Sequence, residues 1–335
     1  MEGSGAAHVL QPRTRGIWPA VGPSAMYILL LAGFWMEAVS LRLTSVLGSA
    51  ALGVFASFAL LLLPLWFFAF GTARPLREWL SSSWTRIAAP ALLAVPYLLF
   101  AVAMHEFQPT FAVALAVLPV GLSALLERVP RVQRLLWQDV AVLLVLSMTL
   151  ELGLLSSAWP HAGLGSLPKL YLADVALYLY LVVRDLDGMG YSFVPQASAF
   201  RIGLREWLFF LPLALGMGFA LHFIRFYPRQ HSVGHIVAGV LVTFLLTAVP
   251  EEIFFRGILQ NLLEPLAGRI PALLVASALF GLSHVHKGAA FNWRYVILAA
   301  IAGFFYGRAW RERRQLLASS VTHTAVDVVW SLWFR

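Results

Sequence analysis

The chain has 335 residues, 60% of them hydrophobic and only 12% charged, with a mean hydropathy of +0.79. A soluble domain carries about a quarter of its residues charged, so this chain cannot cover a water-exposed surface and reads as a polytopic membrane protein. The net charge of +8 does not mark a nucleic-acid binder, because the basic residues fall in short segments between apolar runs; the lack of cysteine excludes disulfides, thiolate metal sites and a cysteine nucleophile.

A helix needs about 20 apolar residues to cross the hydrocarbon core. On that measure the spans fall near 18–40, 46–71, 87–105, 110–126, 135–155, 168–183, 204–224, 234–263, 272–286, 295–310 and 316–334. The predicted fold is an all-α transmembrane helix bundle of ten or eleven spans. Arg13 and Arg15 precede the first span, which is longer than the 7–15-residue apolar core of a signal peptide. It is expected to stay as a helix.

With the N-terminus inside, the cytoplasmic loops hold Arg74, Arg77, Arg86, Arg128, Arg131, Arg134, Arg184, Arg201, Arg269, Arg311, Arg313 and Arg314. The opposite loops hold Arg42, His161, Arg225, Arg229, Lys287 and Arg294. The bias favours a cytoplasmic N-terminus. The longest polar loop, RDLDGMGYSFVPQASAF (184–200), divides an N-terminal helical region (1–200) from a C-terminal one (201–335). No internal repeat is visible.

Ionisable groups at membrane depth are candidate functional residues. Glu37, Asp139, Glu151 and Asp174 are isolated and read as structural. The C-terminal spans differ. Glu252 and Arg256 are four apart and share a helix face, so they can pair. Glu251 is turned about 100° away and is expected to be left free. Pro250 removes a backbone donor and favours a kink. In FGLSH (280–284), Phe280 can pack on His284, while Gly281 and Ser283 allow close helix approach. His286 is expected to face a polar loop with Lys287. In HTAVD (323–327), His323 and Asp327 share a face.

Each cluster alone also fits a structural ion pair, a satisfied core histidine or an interhelical polar contact. Three such clusters on three nearby spans point instead to one shared, water-filled site with carboxylate, imidazole and guanidinium groups.

The order E-E-x-x-x-R (251–256), F-x-x-x-H (280–284) and H-x-x-x-D (323–327) resembles the signature of the CAAX-protease and bacteriocin-processing (CPBP) family of glutamic-type intramembrane proteases. The resemblance covers about 231–335. It implies peptide-bond hydrolysis within the membrane. Glu251 and His284 would activate water, and His323 with Asp327 would stabilise the oxyanion. Glu252, Arg256 and Phe280 would support them. The family often has Asn where this chain has Asp327, and an ionised Asp would repel an oxyanion. Either Asp327 is protonated, or it holds His323 as imidazolium and leaves His323 the sole donor. The second keeps the site charge-balanced. Asp327→Asn is then expected to retain activity with a shifted pH profile, and an unchanged profile would count against the pairing.

No cofactor is expected; the alternative is a zinc site on Glu251, His284 and His323 with an open position. The expected partners are the lipid bilayer and a membrane-anchored protein substrate, carrying a C-terminal anchor or a CAAX-like tail. No nucleic acid is expected. The Arg-, Ala- and Leu-heavy usage points to a bacterial inner membrane, where a transmembrane anchor is the better substrate than a prenylated tail. The ending VTHTAVDVVWSLWF (321–334) is similar to members linked to surface-protein sorting. Two other classes compete. A proton-coupled transporter or channel would also place carboxylates and histidines at midplane, but neither a repeat nor paired broken helices is present. A non-catalytic immunity or scaffold membrane protein would carry the cavity without using it.

Overall fold

The computed structural model describes residues 18–335 apart from 131, 162, 163, 229, 289 and 290. Arg13, Arg15, Arg131 and Arg229, which entered the reading of orientation, lie outside the described residues. Among the described residues twelve helices follow one another and no strand forms. They are α1 (Trp18–Ser40), α2 (Leu43–Phe68), α3 (Ala73–Trp79), α4 (Ser83–Met104), α5 (Pro109–Leu126), α6 (Trp137–Glu151), α7 (167–183), α8 (Ala197–Ala220), α9 (Val233–Ala267), α10 (Arg269–Leu282), α11 (Trp293–Arg313) and α12 (Leu316–Trp333). Lipid offers no hydrogen bonds, so each crossing segment must satisfy its own backbone, and helices do so. Eleven of the helices occupy the predicted spans; α3 is a short addition within the loop at 72–86.

By length and hydropathy, six helices can cross a membrane unaided: α1, α2, α4, α5, α8 and α9. The other five predicted spans are shorter or more polar. Central among them is α7, whose residues Leu170 to Leu177 are all buried. A helix apolar on every side belongs in a core. Shielded from lipid by its neighbours, α7 can carry Lys169 and Asp174. One apolar cluster runs from Tyr27 to Leu316 and crosses the predicted boundary near 200 without interruption.

Local sequence sets the helix starts. Ser82, Ser232 and Asn292 accept a backbone N–H at the start of α4, α9 and α11, at 3.1, 3.2 and 3.3 Å. Each satisfies an amide that the first turn leaves open. Packing then depends on close fit, since lipid tails are as apolar as leucine. A Cβ on Gly281 would lie 2.5 Å from the Val296 carbonyl oxygen, and one on Gly203 would lie 2.7 Å from that of Ala318. Glycine therefore sets the approach of α10 to α11 and of α8 to α12.

Two of the isolated acids find partners on other elements, though the second oxygen of Asp174 is buried without one. Asp139 pairs with Arg184 at 3.3 Å, both fully buried, and also accepts the Leu136 N–H at 3.0 Å. Asp174 accepts the Leu65 N–H at 3.1 Å.

The loops gather at two ends. At one, Arg77 bonds the Val183 carbonyl, Gln133 meets Asp187, Asn261 bonds the Asp187 carbonyl, and Arg314 bonds Asn261. At the other, His161 meets Glu106, and residue 225 exchanges backbone bonds with residue 335. The arginine-rich loops grouped from sequence thus share one end of the bundle.

At that end Arg86 clamps Glu127 with Nε at 3.1 and 3.2 Å and Nη2 closer still. Burial alone would raise the Glu127 carboxyl, but hydrogen bonds from Arg86 and Ser83 and the Arg86 charge hold it below its usual value. A carboxyl depressed on folding contributes stability that is present above its unfolded pKa and lost as pH falls through the folded value. Glu127→Gln should therefore cost about 1–3 kcal/mol at pH 7, the scale of hydrogen bonds to a charged group. The difference should shrink on acidification below the ordinary glutamate range. Thermal unfolding in detergent at neutral and acidic pH checks this; a pH-independent difference would contradict it.

Candidate active site

The site is built on α9. Its backbone widens to π-helical turns at Phe244–Ala248 and Ile253–Gln260, on either side of Val249–Glu252. Pro250 has no N–H to give, and a wide turn absorbs the missing bond. The proline distortion expected from sequence takes this form.

Glu252 and Arg256 pair as their spacing predicts, at 3.1 Å, with both side chains fully buried. Arg256 also donates from Nη2 to the Gly303 carbonyl at 2.8 Å, and its guanidinium lies 4.7 Å from the Phe280 ring centroid. A Cβ on Gly303 would stand 3.0 Å from that same nitrogen, so α11 needs glycine there.

His323 comes from α12. Its Nδ1 donates to Glu252 at 2.8 Å, while Nε2 faces Asp327 at 3.5 Å and Glu251 at 3.8 Å. The ring stacks on Tyr306 with centroids 4.4 Å apart and meets Phe280 edge-on at 5.6 Å. Carboxylates at both nitrogens arrange His323 as a double donor, which only the imidazolium can be. The predicted Asp327 pairing is present, but the shorter bond, the one that fixes the ring, goes to Glu252. That residue was expected to serve Arg256 alone. Its Oε1 accepts from both.

His284 lies within the predicted span, 272–286, but just beyond the helix that forms. α10 ends at Leu282, and the chain continues in tight turns that carry Lys287 back over the imidazole. The His284 Nδ1–H donates to the Phe280 carbonyl at 2.8 Å, which leaves Nε2 as an acceptor, and Lys287 donates to it at 3.2 Å. Phe280 packs on the ring as predicted, at 4.9 Å, and Tyr295 covers the other side at 4.7 Å.

Glu251 is not left free, and this corrects the sequence reading. Its Oε1 accepts from Lys169 of α7 at 2.7 Å, and the Lys287 ammonium stands 3.8 Å away. Helix periodicity finds partners one turn away; Lys169 is 82 residues earlier and arrives only because α7 packs against α9. Glu251 and His284 make no direct contact. They line one cavity of about 140 Å³ together with Lys287, His323 and Asp327. Apolar side chains such as Phe210, Phe223, Leu298 and Trp330 form much of the remaining wall. The expected guanidinium is not in that wall: Arg256 is fully buried behind Phe280 and Tyr306.

The alternative zinc set does not fit this arrangement. Among the described residues no three His, Asp or Glu side chains gather as metal ligands. Two ammonium groups face Glu251 where a divalent cation would have to stand.

Sequence reasoning missed Lys169 and gave Lys287 only a loop position. A compositional signal was available: the chain has 22 arginines and two lysines, and both lysines face Glu251.

Comparison with curated proteins and with solved structures gives no match. Residues 233–329 match the family model described as type II CAAX prenyl endopeptidase Rce1-like. The matched stretch contains Glu251, Glu252, Arg256, Phe280, His284, His323 and Asp327 and leaves out Lys169. Residues 233–329 are thus similar to the Rce1-like CAAX protease family.

Proposed function

We propose that the protein is an intramembrane endopeptidase that hydrolyses a peptide bond at the membrane-anchored C-terminal segment of a substrate protein, without a metal. The observation that carries this reading is the convergence of Glu251, His284 and His323 on one cavity inside the helix bundle. Glu251 Oε2 takes a proton from water as the water oxygen attacks the scissile carbonyl. The acceptor Nε2 of His284 orients that water once Lys287, which donates to it in the resting site, turns away. The N–H at His323 Nε2 donates to the oxygen that becomes negative, and the proton held by Glu251 then passes to the leaving amine. A general base contributes about 10²–10⁴-fold, and one oxyanion donor about 3–4 kcal/mol. Glu252 and Arg256 hold His323 rather than touch the substrate.

The position of the site bears on the substrate. At 1.5 Å per residue, Glu251 lies roughly 24 Å along α9 from Ala267, at the arginine-rich end. The cavity wall draws on Phe223, Ile224, Lys287, Trp330 and Phe334, all toward the arginine-poor end. With the arginine-rich end cytoplasmic and the N-terminus on that side, the cavity serves the outer half of a bacterial inner membrane. A transmembrane anchor of an exported protein reaches that half more readily than a cytoplasmic prenylated tail. The 1–200 region is then a helical scaffold around the 201–335 protease region.

The test is reconstitution in liposomes with a reporter anchored by one C-terminal apolar helix. Cleavage within or beside the anchor, persisting in strong chelator, is expected. Loss of cleavage on chelation would overturn the metal-free mechanism. Proton or solute flux without cleavage would replace the protease reading with a transporter.

A further inference from the structure

Lys169 is the strongest feature that the family motifs leave unassigned. It lies outside the matched stretch, in the first turn of α7, yet its ammonium makes the shortest contact of Glu251, 2.7 Å to Oε1. Its side chain is 21% exposed and that of Glu251 is 11% exposed, so solvent screens the pair weakly. Everywhere else but at Lys287 the chain uses arginine for its cations. Lysine offers a compact point charge on a flexible stem, where arginine would impose a planar fork. The other oxygen of Glu251 faces His323 at 3.8 Å. With Oε1 held, rotation of the carboxylate is stopped and Oε2 is the oxygen presented to the cavity.

We propose that Lys169 is a positioning residue of the hydrolytic site, so that the N-terminal helical region completes the active site as well as surrounding it. The inference rests on the protease reading. Lys169 touches neither substrate nor water in this role; it acts through Glu251. A misplacement of about 1 Å in a reacting group costs on the order of 10²-fold in rate, which sets the size of the expected effect.

Two measurements on the full-length protein test it. The first needs no proteolysis. With two lysines in the chain, an amine-reactive ester followed by mass spectrometry reads each one. Lys169 should be protected in the wild type and labelled in Glu251→Gln, while Lys287, 45% exposed, is labelled in both. Equal labelling of Lys169 in the two proteins would overturn the pairing, whether or not the protein is a protease.

The second is kinetic. Lys169→Met should lower kcat by about 10- to 100-fold with KM within about 3-fold, and Lys169→Arg should recover part of the loss. A wild-type kcat in Lys169→Met would overturn the proposal. So would a raised KM with kcat unchanged, which would make Lys169 a substrate-binding group. If Lys169→Met does not fold, Lys169→Arg decides: reduced kcat at wild-type KM supports positioning, and wild-type kcat overturns it. A wild type that cleaves nothing, with Lys169 still protected, would sink the protease reading and leave the ion pair standing.

Discussion

Glu251→Gln should abolish cleavage of an anchored substrate, with a loss of about 10²–10⁴-fold, while membrane insertion and expression stay normal. The amide keeps the shape of the side chain and removes its ability to take a proton. Lys169 loses its charged partner, but its side chain is 21% exposed, so the ammonium can hydrate. His284→Ala should reduce the rate comparably without touching the Glu251–Lys169 pair, since His284 bonds Phe280 and Lys287 instead. Comparison of membrane-protein C-termini in cells with wild-type and Glu251→Gln protein would show the same loss and identify the substrate. Unchanged processing in both variants would leave a scaffold, not a protease.

Arg256→Met should be the most destabilising single change in the site. Arg256 and Glu252 are both fully buried, and the change strands the Glu252 carboxylate with His323 as its remaining charged partner. Removing one member of a buried pair costs about 3–5 kcal/mol. The Gly303 carbonyl loses its donor and Phe280 loses its cation at the same time. Thermal unfolding in detergent measures the effect. The double change Glu252→Gln with Arg256→Met should recover part of it, because a neutral pair leaves no stranded charge. Recovered stability without recovered activity is expected, since His323 would have lost its carboxylate anchor. A double variant no more stable than Arg256→Met would show that the pair is not what the site depends on.

Periodicity explains how much was legible. The Glu252–Arg256 pair, the Phe280–His284 contact and the His323–Asp327 pair each follow from 3.6 residues per turn, and each is present. The eleven spans were readable because lipid forces every crossing segment into a helix with an apolar exterior. Where α10 ends was not readable, because the tight turn at 283–287 is stabilised by His284 and Lys287 meeting each other rather than by a turn residue such as glycine at its start.

The amino-acid sequence alone determined that the chain is a helical membrane bundle, that its arginine-rich loops belong together, and that three spans carry complementary polar clusters. Those properties depend on hydrophobic length, charge bias and contacts within one turn. Only the tertiary structure decided which cluster meets which. It put His323 on Glu252 ahead of Asp327, placed Arg256 behind the cavity wall, and brought Lys169 to Glu251 from 82 residues away. Contacts between helices depend on how glycine-lined faces let them approach, and that geometry leaves no period in the sequence to read.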